Sequence, residues 1–105
     1  MYYTKSIDVY SYGKIKDENG ATRKGYTKLL EGVSCDIQPY STEKLEKEYG
    51  YKIECTKRIF MDIVDGISES NIIAYRGNTY KVQKIIEWDD HFEIAILEYE
   101  VKLDS

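Results

Sequence analysis

Ile72-Ile73-Ala74-Tyr75-Arg76-Gly77-Asn78-Thr79-Tyr80-Lys81-Val82-Gln83-Lys84-Ile85-Ile86-Glu87-Trp88-Asp89-Asp90-His91-Phe92-Glu93-Ile94-Ala95-Ile96-Leu97-Glu98-Tyr99-Glu100-Val101 is the stretch that decides the fold. It opens on a short apolar run. Gly77-Asn78 then suits a tight hairpin turn, because both residues tolerate positive φ. Tyr80 and Val82 share one face of the next segment, and Lys81 and Gln83 share the other. Asp89-Asp90-His91 interrupts it, and residues rich in β-formers resume at Phe92. The pattern predicts three antiparallel strands joined by two short turns. The last strand places Phe92, Ile94 and Ile96 on one face and Ala95, Leu97, Tyr99 and Val101 on the other. A strand with one wet face alternates cleanly, so two apolar faces predict cover on both sides, by a helix or by a neighbouring subunit.

Upstream of this meander, residues 51–61 read as a strand. Tyr51, Ile53, Cys55, Ile59 and Met61 fall on one face, with Lys57 the exception. Residues 41–49 are the one convincing helix. Ser41 is an N-cap whose hydroxyl accepts from the first turn. Tyr40 and Leu45 fit a hydrophobic staple, and Leu45 with Tyr49 forms a narrow apolar stripe that must dock on the sheet or on another molecule. Glu43–Lys47 and Lys44–Glu48 have the spacing of helix ion pairs. Gly50 stands where a left-handed C-terminal residue is wanted. Residues 26–40 read as another strand region, with a bulge or bend at Gly32 and a stop at Pro39. Residues 5–12 alternate as the first strand. Between these two, residues 13–25 have almost no apolar content and a turn signal at Asp17-Glu18-Asn19-Gly20, which predicts a mobile loop or hairpin tip. Residues 62–70 read as an acidic loop. The expectation is a mainly β domain spanning residues 1–105: a small antiparallel β-barrel or sandwich of about six strands, one short α-helix and long polar loops.

The 105 residues suffice for one modest core. The formal net charge is −4, and Arg23-Lys24 and Lys57-Arg58 are only pairs, which speaks against a tightly held duplex. No apolar run approaches a bilayer span, and the start of the sequence has no signal-peptide core. Cys35 and Cys55 sit in alternating apolar runs and read as buried thiols. Tyrosine is the outlier, with 11 against two Phe and one Trp; it suits half-buried sheet faces and protein interfaces.

Catalytic sets are hard to find. His91 meets carboxylates only at Asp89-Asp90, where turn chemistry explains the aspartates. Asp62, Asp65 and Glu69 lack the order of a calcium loop, and no phosphate loop or nucleophile elbow occurs. No enzyme, metal or cofactor is expected.

Taken together, Gly32-Val33-Ser34-Cys35-Asp36-Ile37-Gln38-Pro39-Tyr40-Ser41, Glu48-Tyr49-Gly50-Tyr51, Thr56-Lys57-Arg58-Ile59-Phe60-Met61-Asp62 and Ile73-Ala74-Tyr75-Arg76-Gly77-Asn78-Thr79-Tyr80-Lys81-Val82, followed by Ile85 and the strand from Phe92 to Leu97, resemble the small head–tail connector proteins of tailed bacteriophages and prophages. The likeness is to the head-closure type, also called stopper, head-completion or minor capsid proteins. It implies a noncatalytic virion protein, made in the bacterial cytoplasm. It would assemble as a ring below the portal and adaptor, monomeric when free, with the tail docking on its other side and DNA passing through without specific binding. A loop that narrows the channel would correspond to residues 39–50, where this sequence carries its helix signal. The expected partner-binding residues are Arg23, Lys24, Tyr40, Leu45, Tyr49, Asp65, Leu97 and Tyr99. Two alternatives stand beside this reading. One is a small OB- or SH3-like barrel that binds single-stranded nucleic acid on its tyrosines. The other is a tail terminator or tail-completion protein.

Overall fold

A computed structural model describes residues 3–16 and 18–103. Its strands are β1 (Lys5–Lys16), β2 (Thr22–Pro39), β3 (Lys57–Met61), β4 (Ile72–Tyr75), β5 (Asn78–Glu87) and β6 (Phe92–Glu98), with helix α1 (Thr42–Tyr49) between β2 and β3. They pair antiparallel in the order β1-β2-β3-β6-β5-β4, and β4 returns to β1, so the sheet closes into a barrel. Closure leaves no free edge within the barrel wall. This is the mainly β, six-stranded, one-helix fold that the alternation implies.

The meander forms as its spacing requires, with one adjustment. Tyr75 pairs directly with Asn78, so the turn centres on Arg76 and Gly77, at φ 49° and 80°. It therefore lies one residue before the expected Gly77-Asn78. Pairing Ile73 with Tyr80 puts both inside the barrel. That register leaves two residues for the turn and draws Asn78 into β5. The interior is filled by Ile7, Val9, Cys35, Ile59, Met61, Ile73, Tyr80, Val82, Phe92, Ile94 and Ile96.

The second apolar face of β6 is covered from within the chain at Ala95, while Leu97 is half-buried and Tyr99 is exposed. Ala95 lies under α1, in a separate cluster with Tyr40, Leu45 and Cys55. The helix is built as its sequence dictates. Ser41 Oγ accepts from Lys44 N at 3.1 Å. Gly50 takes the left-handed conformation (φ 80°) and donates to Glu46 O. Glu48 turns from its helical lysine toward Tyr40 and Arg58.

Two element boundaries differ from the sequence reading. Residues 51–56 are not strand. Thr42 Oγ1 accepts from Cys55 N, and Tyr40 N–H donates to Thr56 O. These ties swing Cys55 into the helix cluster, away from Ile59 and Met61 in the barrel interior, and Lys57 marks where the alternation slips. Residues 13–25 are the hairpin tip of the two expectations, not the mobile loop. They carry β1 and β2 onward as a hairpin, paired through Lys16 and Thr22 and turned at residues 18–20; Asp17 of the expected turn lies outside the described residues. A hairpin wet on both faces has no apolar alternation to announce it. Residues 62–71 are irregular as expected, with Val64 and Ile67 resting on the barrel interior.

β4 pairs with β1 only at Asp8, Val9 and Tyr10, and β3 pairs with β2 only from Cys35 to Pro39. Beyond those limits, among the described residues, β1 and β2 form a two-stranded ladder. They project as an arm that helps give the molecule its 50 × 27 × 24 Å extents. Where the arm leaves the barrel, β2 carries surplus residues against β1, between the pairs Ile7↔Val33, Val9↔Leu30 and Tyr10↔Lys28. Gly32 (φ 63°) sits in the first bulge, and its N–H donates to Asp8 Oδ1 at 2.9 Å. This is the bend its mid-strand position predicts.

Candidate functional site

Alternation along the arm sorts its side chains. Tyr12 faces Tyr26, Lys14 faces Lys24 and Lys16 faces Thr22 across the two strands. Directly opposed residues share a face, and these pairs recur at every second position. One face of the arm is therefore tyrosine at the root and lysine outward. Residues 11–28 hold five lysines or arginines and two acids, net +3, in a chain of net −4. The overall acidity hides a basic projection.

At the arm's root Tyr12, Tyr26, Tyr99, Arg23, Lys24 and Lys102 line an open groove of about 430 Å³, together with Gly25 and Val101. The Tyr12 and Tyr26 rings meet edge to face, with centroids 4.9 Å apart. Burial, then the neighbouring Tyr99 and Tyr12 hydroxyls, raise the Tyr26 pKa. Tyr12 and Tyr99 remain 50% and 46% exposed. The chain beyond β6 is fixed by Thr79, whose carbonyl accepts from Tyr99 N at 3.0 Å and whose hydroxyl donates to Tyr99 O. Lys81 Nζ stands 5.1 Å from the Tyr99 ring centroid. Among the described residues no carboxylate pairs with Lys14, Lys24 or Lys102. Like charges placed directly opposite, as Lys14 and Lys24 are, destabilise a strand pair.

A second polar constellation lies between α1 and the barrel. Glu93 is 4% exposed. Its Oε1 accepts from Tyr49 OH at 2.8 Å and from Trp88 Nε1 at 3.4 Å, and its Oε2 accepts from Arg58 Nη1 at 3.4 Å. Arg58 also donates to Gln38 Oε1, and its guanidinium lies over the Tyr40 ring. Burial, then the hydrogen bond to Glu93, pushes the Tyr49 hydroxyl well above its ordinary pKa. Burial, then Glu48, pushes Tyr40 up to about 12. The carboxylate has its partners in place, so the cluster acts as the joint that fixes the helix to the barrel.

The residues expected to bind partners separate accordingly. Arg23, Lys24 and Tyr99 come together in the groove. Asp65 stands exposed on the loop at 62–71, and Leu97 is half-buried in an outward row with Tyr10, Ile72 and Lys81. Tyr40 and Leu45 are buried against the barrel and Tyr49 is bonded to Glu93, so this trio holds the helix down rather than facing outward. Sequence reading missed Tyr12, Lys14, Tyr26 and Lys102. The signal was present in the spacing: Tyr12-x-Lys14-x-Lys16 and Thr22-x-Lys24-x-Tyr26 mirror each other about the Asn19-Gly20 turn.

The remaining chemistry-bearing side chains are placed simply. Cys35 and Cys55 are buried free thiols, and burial lifts Cys35 to about 11. His91 stacks on Trp88, and its Nδ1 lies 2.6 Å from Asp90 Oδ1, which holds the Asp90 carboxyl below its usual range. Among the described residues no three or more of His, Cys, Asp and Glu are grouped to hold a metal ion, and no helix is long and apolar enough to cross a membrane. No family model matches this sequence, and no curated protein is significantly similar to it.

Proposed function

We propose that this chain is a noncatalytic virion protein, a head–tail connector of the head-closure kind that assembles as a ring between the portal–adaptor complex and the tail of a phage. The arm carries this reading. An isolated two-stranded hairpin is marginal in water, and here such a hairpin projects from a closed barrel with no third strand beside it among the described residues. A projecting hairpin and a basic surface on an acidic body favour contact with another surface, and unlike surfaces meeting head to tail generate rings when the rotation closes. The sequence resemblance to connector proteins points the same way. Portal, adaptor and tail proteins are then the partners, and the virion's head–tail junction the location.

The test mixes the purified chain with portal–adaptor complexes and with tails of the phage or prophage that encodes it, and images the products by electron microscopy. Added rings at the head–tail junction are expected; failure to associate with either assembly overturns the reading. Joining Tyr12 to Tyr26 through a two-residue Asn-Gly turn should leave the barrel folded and abolish ring formation.

A further inference from the structure

Head-to-tail assembly needs the arm's edges and leaves the face at its root unexplained. There the walls gather three tyrosines and three cations without a carboxylate among them. The volume, about 430 Å³, falls in the range of small-ligand sites. We propose that this groove binds single-stranded nucleic acid without sequence preference, a base stacking on the exposed tyrosine rings while flanking phosphates meet Lys24 and Lys102.

Each part of that ligand answers an observation. Phosphate supplies the negative charge that Lys24 and Lys102 lack among the described residues, and it relieves the repulsion between Lys24 and the opposed Lys14. A base supplies a flat surface for rings that the fold leaves half exposed, at Tyr12 and Tyr99. A duplex keeps its base faces stacked inside and would use the cations alone. An acidic segment from a second copy of the chain would likewise engage the cations and leave the rings unused. Sequence tolerance follows because every base has a ring face on which a tyrosine can stack. This inference does not depend on ring assembly.

The experiment is fluorescence anisotropy with the full chain and a labelled oligothymidine of about 16 nucleotides, at about 50 mM and about 200 mM salt. Binding should weaken as salt rises and should be stronger for the single strand than for a duplex of equal length. Tyr12→Ala should lower affinity about tenfold or more while Tyr12→Phe retains it. Lys102→Glu, which lies outside the arm and leaves the hairpin intact, should also lower it. Unchanged far-UV spectra would establish that each variant is folded. Three results overturn the proposal. The first is no binding by the unaltered chain. The second is loss on Lys102→Glu with no loss on Tyr12→Ala, which marks a bare cationic patch. The third is a self-association that Lys24→Glu disperses and the oligonucleotide leaves untouched, which assigns the groove to a second copy.

Discussion

The barrel and the arm are made from the same two strands and obey different rules. From Lys5 to Tyr10, β1 has a neighbour on the β2 side and, over part of its length, on the β4 side, and Ile7 and Val9 disappear into the interior. From Ser11 on the same strand has one neighbouring strand and no interior, and Tyr12, Lys14 and Lys16 take its alternate positions. The polypeptide does not change character at a domain boundary. What changes is the number of strands beside it. Pairing alone draws a hairpin out, while burial makes the barrel persist.

The strongest way to break this comparison is to empty the interior. Ile94 is fully buried among the barrel residues, and Ile94→Ala should cost about 4 kcal/mol in urea denaturation. Replacing the arm by an Asn-Gly turn should move the midpoint far less. Equal losses would mean that arm and barrel fold as one unit. Next comes the joint under the helix. Glu93→Ala leaves Tyr49, Trp88 and Arg58 without their shared acceptor and should cost about 2 kcal/mol, with amide protection lost in α1 before it is lost in β6.

The same joint sets an alkaline limit. Tyr40 titrates at about 12 in the fold against 10.0 ordinarily, and Tyr49 is also raised. Above pH 10 the unfolded chain releases these protons first, so the folded form binds more of them and stability falls as pH rises. The stabilisation is complete below about pH 10 and is lost progressively toward pH 12. Denaturation midpoints measured at rising pH should decline over that window, and Tyr40→Phe should make the decline shallower.

The meander was readable because its residues alternate and its turns interrupt them; burial and sequence tell the same story there. Glu93 was not readable. A glutamate between Phe92 and Ile94 looks like a solvated outward residue, and its burial comes from a helix delivered some forty positions earlier in the chain. The arm announced its turn but hid its strands, for the opposite reason. Both of its faces are wet, so Lys14, Lys16 and Lys24 look like the composition of a loop until the pairing is known. Arg23, Lys24 and Tyr99 could be named separately, yet only the register and the return of the chain past β6 bring them to one groove.

Smaller changes sharpen the division. Gly32→Val forces a branched side chain into a positive φ at the foot of the arm and should cost about 1 kcal/mol, read as a lowered thermal midpoint. Lys14→Glu turns the repulsion with Lys24 into attraction. The gain should be only about 0.5 kcal/mol, visible as slower amide exchange in residues 11–16 and 22–28 with no change in the barrel's exchange. A barrel-wide response would show that the two regions communicate.

The surplus residues of β2 beside Gly32 have a mechanical consequence. The tip fixes one end of the pairing and the barrel wall fixes the other, so the extra length between them is taken up in bulges. Bulges bend and twist the strand that carries them. Excising that slack should preserve every pairing at both ends and swing the hairpin to a new heading. Which way the projection points is thus encoded apart from what it presents, and a lineage of such proteins can re-aim one without redesigning the other.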